Sequence, residues 1–316
     1  MKTKIFTLAL VLFAFTINTE AKNIANAQLE NPKITAATLV QRSLKSVHKN
    51  YSKEDNQMNA FYKERVIKNN EALSINEAIL DINKASYLSP KKDMVAVRDI
   101  RGNANNAEFD SLMIKLQGGP VTALQLDVIK YPFLGSEIHN LSDYYDFDYS
   151  TPQELNGKMF YVVNFNQKYS NGEMLFRGKI FIEPVSLAIA KVEYSMNVER
   201  RGYAYEKFMK RKPKDCDVHM ISASYVVNYK QYNNKWYFDY STSDISFYLS
   251  KDSKSVPNVY TVSSQMAVTN LLADGIHIDK KEMLKSTDIL SDMVKDFKVA
   301  SDWDIYNLIM LLAINY

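Results

Sequence analysis

Residues 220–248 read MISASYVVNYKQYNNKWYFDYSTSDISFY. Apolar and polar side chains alternate on both sides of Asn233-Asn234. Ile221, Ala223, Tyr225, Val227 and Tyr229 fall on one face of the first half, and Ser222, Ser224, Asn228 and Lys230 on the other. In the second half Trp236, Phe238 and Tyr240 oppose Tyr237, Asp239 and Ser241. A period of two marks extended chain with one face buried, and two asparagines tolerate the left-handed backbone of a tight hairpin turn. The stretch therefore predicts two antiparallel strands, 220–231 and 235–248, in a sheet with one solvated side.

The same pattern repeats outward from this hairpin. Segments 144–154 and 158–167 flank Asn156-Gly157, the strongest short hairpin signal in the chain. Segments 174–182 and 187–196 flank Glu183-Pro184-Val185-Ser186, and 259–269, 72–82 and 93–100 read as further strands. Nine strands of this length twist strongly and curl on themselves. Helical spacing appears at 35–49, where Ala36, Val40, Leu44 and Val47 share a face, and again over 280–298. Around Gly118-Gly119-Pro120 a glycine loop leads into a helix carrying Leu124 and Val128. The expected class is α+β: a large curved antiparallel β-sheet, or half-barrel, with helices packed on one face, forming a single domain over 35–316.

Lys2 and Lys4 precede an apolar run from Ile5 to Thr16, and Thr19-Glu20-Ala21 offers a small-x-small cleavage site, with Ala25-Asn26-Ala27 a second. Twelve residues rise about 18 Å as a helix, short of a ~30 Å hydrocarbon core. The reading is a signal peptide over 1–21, a linker over 22–34, and a chain exported to the periplasm or the outer-membrane-associated cell envelope. The lone Cys216 lies between Asp215 and Asp217, which disfavour a thiolate, and it has no internal disulfide partner. With 39 basic against 36 acidic residues the net charge is +3, which calls for no nucleic acid. One basic cluster, Lys207 to Lys214, reads as a solvated loop. The sharper alternative is contact with anionic lipid headgroups or glycans, making any membrane association peripheral.

The four histidines His48, His139, His219 and His277 lack metal-ligand spacing, and no nucleophile is marked beside any of them. Asp146 and Asp148 share a strand face but lack the glycine and terminal glutamate of a calcium loop, so they read as a solvated edge. Neither a metal nor a cofactor is expected, and no enzyme.

Several segments together resemble a known family: 61–70 (FYKERVIKNN), 74–87 (SINEAILDINKASY), 118–134 (GGPVTALQLDVIKYPFL) and 177–195 (RGKIFIEPVSLAIAKVEYS). Residues 221–240, 260–270 and 288–292 (DILSD) complete the set. They are similar to exported bacterial envelope proteins labelled carboxypeptidase-like regulatory-domain proteins, here without the small N-terminal β-sandwich. The resemblance implies no peptidase activity. At fold level the strand pattern is also similar to the half-barrels of periplasmic lipoprotein carriers. What this implies is a binding or carrier protein with a lipid or lipoprotein ligand on the concave sheet face. Ile180, Tyr225, Trp236 and Phe238 are the candidate lining residues. Two other classes fit parts of the pattern: a structural or adhesive module that binds glycan or protein, and an outer-membrane barrel. Arg177, Lys179, Lys191 and Glu193, read as lying on both strand faces, count against the barrel.

Overall fold

The computed structural model describes residues 30–102, 119–132, 141–168, 174–198, 216–250, 257–271 and 275–294. It separates into two units, 1–33 and 34–316. In the first, the described residues 30–33 carry neither helix nor strand, and the signal peptide and its cleavage sites lie outside the described residues. So do the basic cluster at 207–214 and His139.

The second unit holds ten described strands: β1 (Asn56–Lys68), β2 (Glu71–Lys84), β3 (Met94–Gly102), β4 (Tyr145–Leu155), β5 (Lys158–Gln167), β6 (Phe176–Ile182), β7 (Ile189–Met196), β8 (Asp217–Tyr232), β9 (Lys235–Ser250) and β10 (Asn258–Leu271). They form one sheet in the order β3-β2-β1-β10-β9-β8-β7-β6-β5-β4, every neighbouring pair antiparallel. From β1 the chain steps outward to the edge strand β3, crosses to the opposite edge at β4, and returns strand by strand until β10 pairs with β1. The expected class, α+β with a large antiparallel sheet, is the one observed.

The register carries one row of side chains across all ten strands: Ile100, Ala78, Tyr62, Met266, Ser241, Val227, Val192, Ile180, Val163 and Tyr149. All but Tyr149 are buried, so this face supplies the main core. Short helices lie against it: α1 (Ala36–Lys45), α2 (Val47–Asn50), α3 (Gly119–Gln125) and α4 (Leu141–Tyr144), with α5 (Leu290–Met293) near the end of the described chain. Helix α1 packs on β4 and buries Ala36, Leu39, Val40 and Ser43. Helix α3, on the crossover between the two sheet edges, packs on β9 and β10, where Ser241 Oγ donates to the Ala123 carbonyl at 2.8 Å.

Several expectations are corrected. Residues 56–68 form a strand that periodicity did not mark, and it lies inside the sheet, third from the β3 edge. The helix expected over 280–298 is absent through residue 289; residues 295–298 lie outside the described residues. There Met283 bridges Ala96 and Leu284 N–H donates to Val95 O at 2.8 Å, so the backbone bonds the edge strand β3 instead of itself. The helix over 35–49 divides at Ser46, whose hydroxyl bonds back to the Ser43 carbonyl at 2.7 Å. Its buried face runs through Leu39 and Ser43, while Leu44 and Val47 are half-buried. Helix α3 starts at Gly119 and ends before Val128.

Two irregularities re-aim side chains in the central hairpin. A register shift between Met220 and Ser222 turns Ile221 out to solvent, and another opposite Asn228 and Tyr229 puts Tyr240 on the far face and Ser241 on the covered one. The register also places Arg177, Lys179, Lys191 and Glu193 together on the far face, not on both. That far face is only partly solvated. It carries the ion pairs Lys63–Glu77 at 2.8 Å, Arg101–Glu77 at 2.6 Å and Lys191–Glu193 at 2.9 Å, yet buries Phe61, Tyr240 and Phe181. Lys191 lies over the ring of Phe181, 5.5 Å from its centroid, and shields it with its stem.

Candidate functional site

Ile180, Tyr225, Trp236 and Phe238 all project from the covered face, as the cross-strand pairing requires. All four are buried, from 0% exposed for Phe238 to 8% for Tyr225, and belong to the main core cluster. Tyr225 stacks on Tyr194 with ring centroids 4.9 Å apart. Trp236 meets Tyr51 in an isolated bridge, and Phe238 N–H donates to Tyr87 OH at 2.8 Å.

At that end of the face lies a network the sequence did not reveal. Lys84, the last residue of β2, has a fully buried side chain and pairs with Asp93 at 2.7 Å and Asp127 at 2.8 Å. Asp93 accepts from Ala85 N–H at 2.9 Å and from Tyr131 OH at 3.0 Å. Asp127, just after α3, accepts from Tyr229 OH at 2.8 Å and from Ile129 N–H at 3.2 Å. The rings of Tyr87 and Tyr131 lie 5.2 and 5.6 Å from the ammonium. Burial alone would lower the pKa of Lys84, but Asp127 and Asp93 outweigh it and hold the ammonium above its ordinary range. Burial, with Asp127 nearby, pushes the phenols of Tyr51, Tyr87 and Tyr229 upward, and burial raises Tyr131 to about 12. These groups stay neutral at physiological pH. The network ties β2, the entry to β3, the crossover and β8 into one clip.

Further along the strands, the covered face changes character. Beside the main core, a row runs through Asn76, Glu64, Ser264, Ser243, Tyr225 and Tyr194. Beyond it lies a second apolar cluster made of strand residues among those described: Val66, Leu73, Val218, Phe247, Leu249 and Tyr260. Ile245 and Met220 touch both clusters and are half-buried, as are Val262, Ser243, Ser264 and Glu64. The face is thus a floor under helices at one end and a half-open apolar seam at the other.

Among the described residues, catalytic groups do not converge on this face. His219 stacks on Tyr248 at 4.7 Å, and His48 bonds the Lys45 carbonyl at 2.8 Å. Among the described residues no cluster of His, Cys, Asp and Glu could hold a metal, and no helix is long and apolar enough to cross a membrane. Asp146 and Asp148 are exposed on the edge strand β4, and Cys216 is a buried free thiol beside β8.

No protein-family model matches the chain and no curated protein matches it, so the resemblance to carboxypeptidase-like regulatory-domain proteins gains no support from either. Solved structures similar to it include one described as an outer membrane lipoprotein-sorting protein domain from Vibrio parahaemolyticus. Identity is 11%, coverage 77% of this chain and 94% of that one, and the TM-score 0.31. A LolA superfamily protein from Nitrosomonas europaea matches at 9% identity over 80% and 98% of the two chains, with a TM-score of 0.27. Lipovitellin matches at 8% identity over 72% of this chain and 26% of that one, with a TM-score of 0.33. At these identities and TM-scores the likenesses carry nothing about what this chain binds.

Proposed function

We propose that this chain is a non-catalytic binding or carrier protein of the cell envelope that accepts an acyl chain on the covered face of its sheet. The observation that carries the reading is the half-open seam, where Ile245, Val262 and Met220 stay partly exposed beside the two apolar clusters of the covered face. In this reading Tyr225 borders the entry, and Ile180, Trp236 and Phe238 form the deeper floor reached as the helices give way. Burying a dozen methylenes at ~0.8 kcal/mol each yields roughly 10 kcal/mol gross, enough to hold a single acyl chain after the costs of ordering it.

Trp236 provides the test. The chain has two tryptophans, so a Trp303→Phe variant leaves Trp236 as sole reporter on the floor. Titration with a twelve-carbon alcohol below its aggregation threshold is expected to shift the Trp236 emission saturably near one equivalent. An emission that stays constant while the probe remains in the free phase would contradict the reading.

A further inference from the structure

We infer that Glu64 is the anchor for the cationic end of the ligand, which makes the preferred ligand an amphipathic amine. The inference rests on the proposed function and adds to it a ligand class.

Glu64 sits on β1 in the middle of the seam, pointing to the covered face between two apolar clusters. On one side of it along the strands lies the row of Tyr62, Ala78 and Met266, and on the other the row of Val66, Val262 and Ile245. Its carboxylate accepts from Tyr62 OH at 3.0 Å and from Asn76 Nδ2 at 3.1 Å, and both partners are neutral. Its register neighbour Ser264 bonds Ser243 at 2.9 Å, extending a polar strip toward Tyr225.

Among the described residues no cation pairs with Glu64; Lys63 and Arg65 fall on the opposite face by strand alternation. The buried charges of β2 are treated differently. Glu77 has Lys63 and Arg101, and Lys84 has Asp93 and Asp127. A carboxylate partly withdrawn from water without a counter-charge costs stability, and an incoming ammonium would offset part of that cost. The half-exposed seam gives such a group access, and the apolar rows on either side fit the chain attached to it. Burial raises the pKa of Glu64, with the bonds from Tyr62 and Asn76 opposing it in part. Among the described residues the groups that face it are Tyr62, Asn76 and Ser264, with no other charge, so protonation of Glu64 should weaken the ammonium contact as pH falls.

The experiment compares dodecylamine, dodecanol and dodecanoate, each below its aggregation threshold, binding to the mature full chain at pH 8 by calorimetry. The amine is expected to bind at least about tenfold more tightly than the alcohol, and the carboxylate more weakly than either. In Glu64→Gln, which keeps a polar partner for Tyr62 and Asn76, the amine preference should vanish while the alcohol binds as before. In the native chain the preference should also fade toward acid pH, a readout that needs no variant. Equal binding of amine and alcohol, or a preference that survives Glu64→Gln, overturns the inference and leaves the carrier reading standing. Failure of all three probes to bind overturns the carrier reading and the inference together.

Discussion

Lys84 gives up its hydration where β2 ends, and two carboxylates and two tyrosine rings take the place of water. The arrangement stabilises only as a complete set. Replacing the lysine alone strands two carboxylates, and losing one member of a buried ion cluster costs ~3–5 kcal/mol. Lys84→Met is therefore expected to lower the unfolding free energy measured by urea titration by that amount, and a loss under about 1 kcal/mol would mean that water reaches the site. Because the folded-state pKa of Lys84 is raised, its contribution is complete below the ordinary lysine value near 10.4 and is lost as pH rises through the raised value. Glu64 behaves oppositely. Its folded-state pKa is raised, so ionising it opposes folding at neutral pH, and the penalty disappears as pH falls toward the ordinary glutamate value near 4.3. Glu64→Gln should unfold at higher urea than the native chain at pH 8, with the gap closing near pH 4. A variant no more stable at pH 8 would contradict this.

Among the elements, the close approach of β6 and β7 depends on Gly178. A Cβ there would lie 2.0 Å from the Glu193 carbonyl oxygen and 2.7 Å from the Tyr194 Cα, both backbone atoms that cannot swing aside. Gly178→Ala is expected to destabilise by ~1–3 kcal/mol through overpacking, with lost amide protection in β6 and β7 as the check. Protection unchanged from the native chain would show that the strands part without cost.

Turn chemistry was the most legible part of the sequence. Asn156-Gly157 and Asn233-Asn234 both have positive φ and join β4–β5 and β8–β9. Asn69-Asn70 does the same between β1 and β2 and was the available signal for β1. Periodicity hid that strand because Lys63, Glu64 and Arg65 interrupt it with charge on both faces. The bulges at Met220 and opposite Tyr229 were illegible for a different reason. An inserted residue shifts alternation only relative to a partner strand, and one strand read alone has no partner. The site was harder still. Its four expected lining residues are tied to one face by alternation, but Lys84 and Asp93 meet across the β2–β3 connection and Asp127 joins them only through the crossover.

On the scale of the whole molecule, the order β3-β2-β1-β10 through β4 explains why one face is covered. A chain that leaves one edge must cross the sheet to start at the other, and this crossover brings α3 onto β9 and β10 and Asp127 onto Lys84. The clip and the Ser241–Ala123 bond hold that cover at one end, while Ile245 and Val262 remain half-open at the other. The proposed carrier role would use this asymmetry, with one side of the cover fixed and the other accessible. The most direct test is mass spectrometry of the protein purified natively from the cells that make it, followed by extraction of whatever it retains. The account predicts an amphipathic acyl compound at a stoichiometry near one, lost when the protein is passed through denaturant and refolded. A protein that comes through ligand-free at every stage, with the seam closed by its own chain, would contradict it.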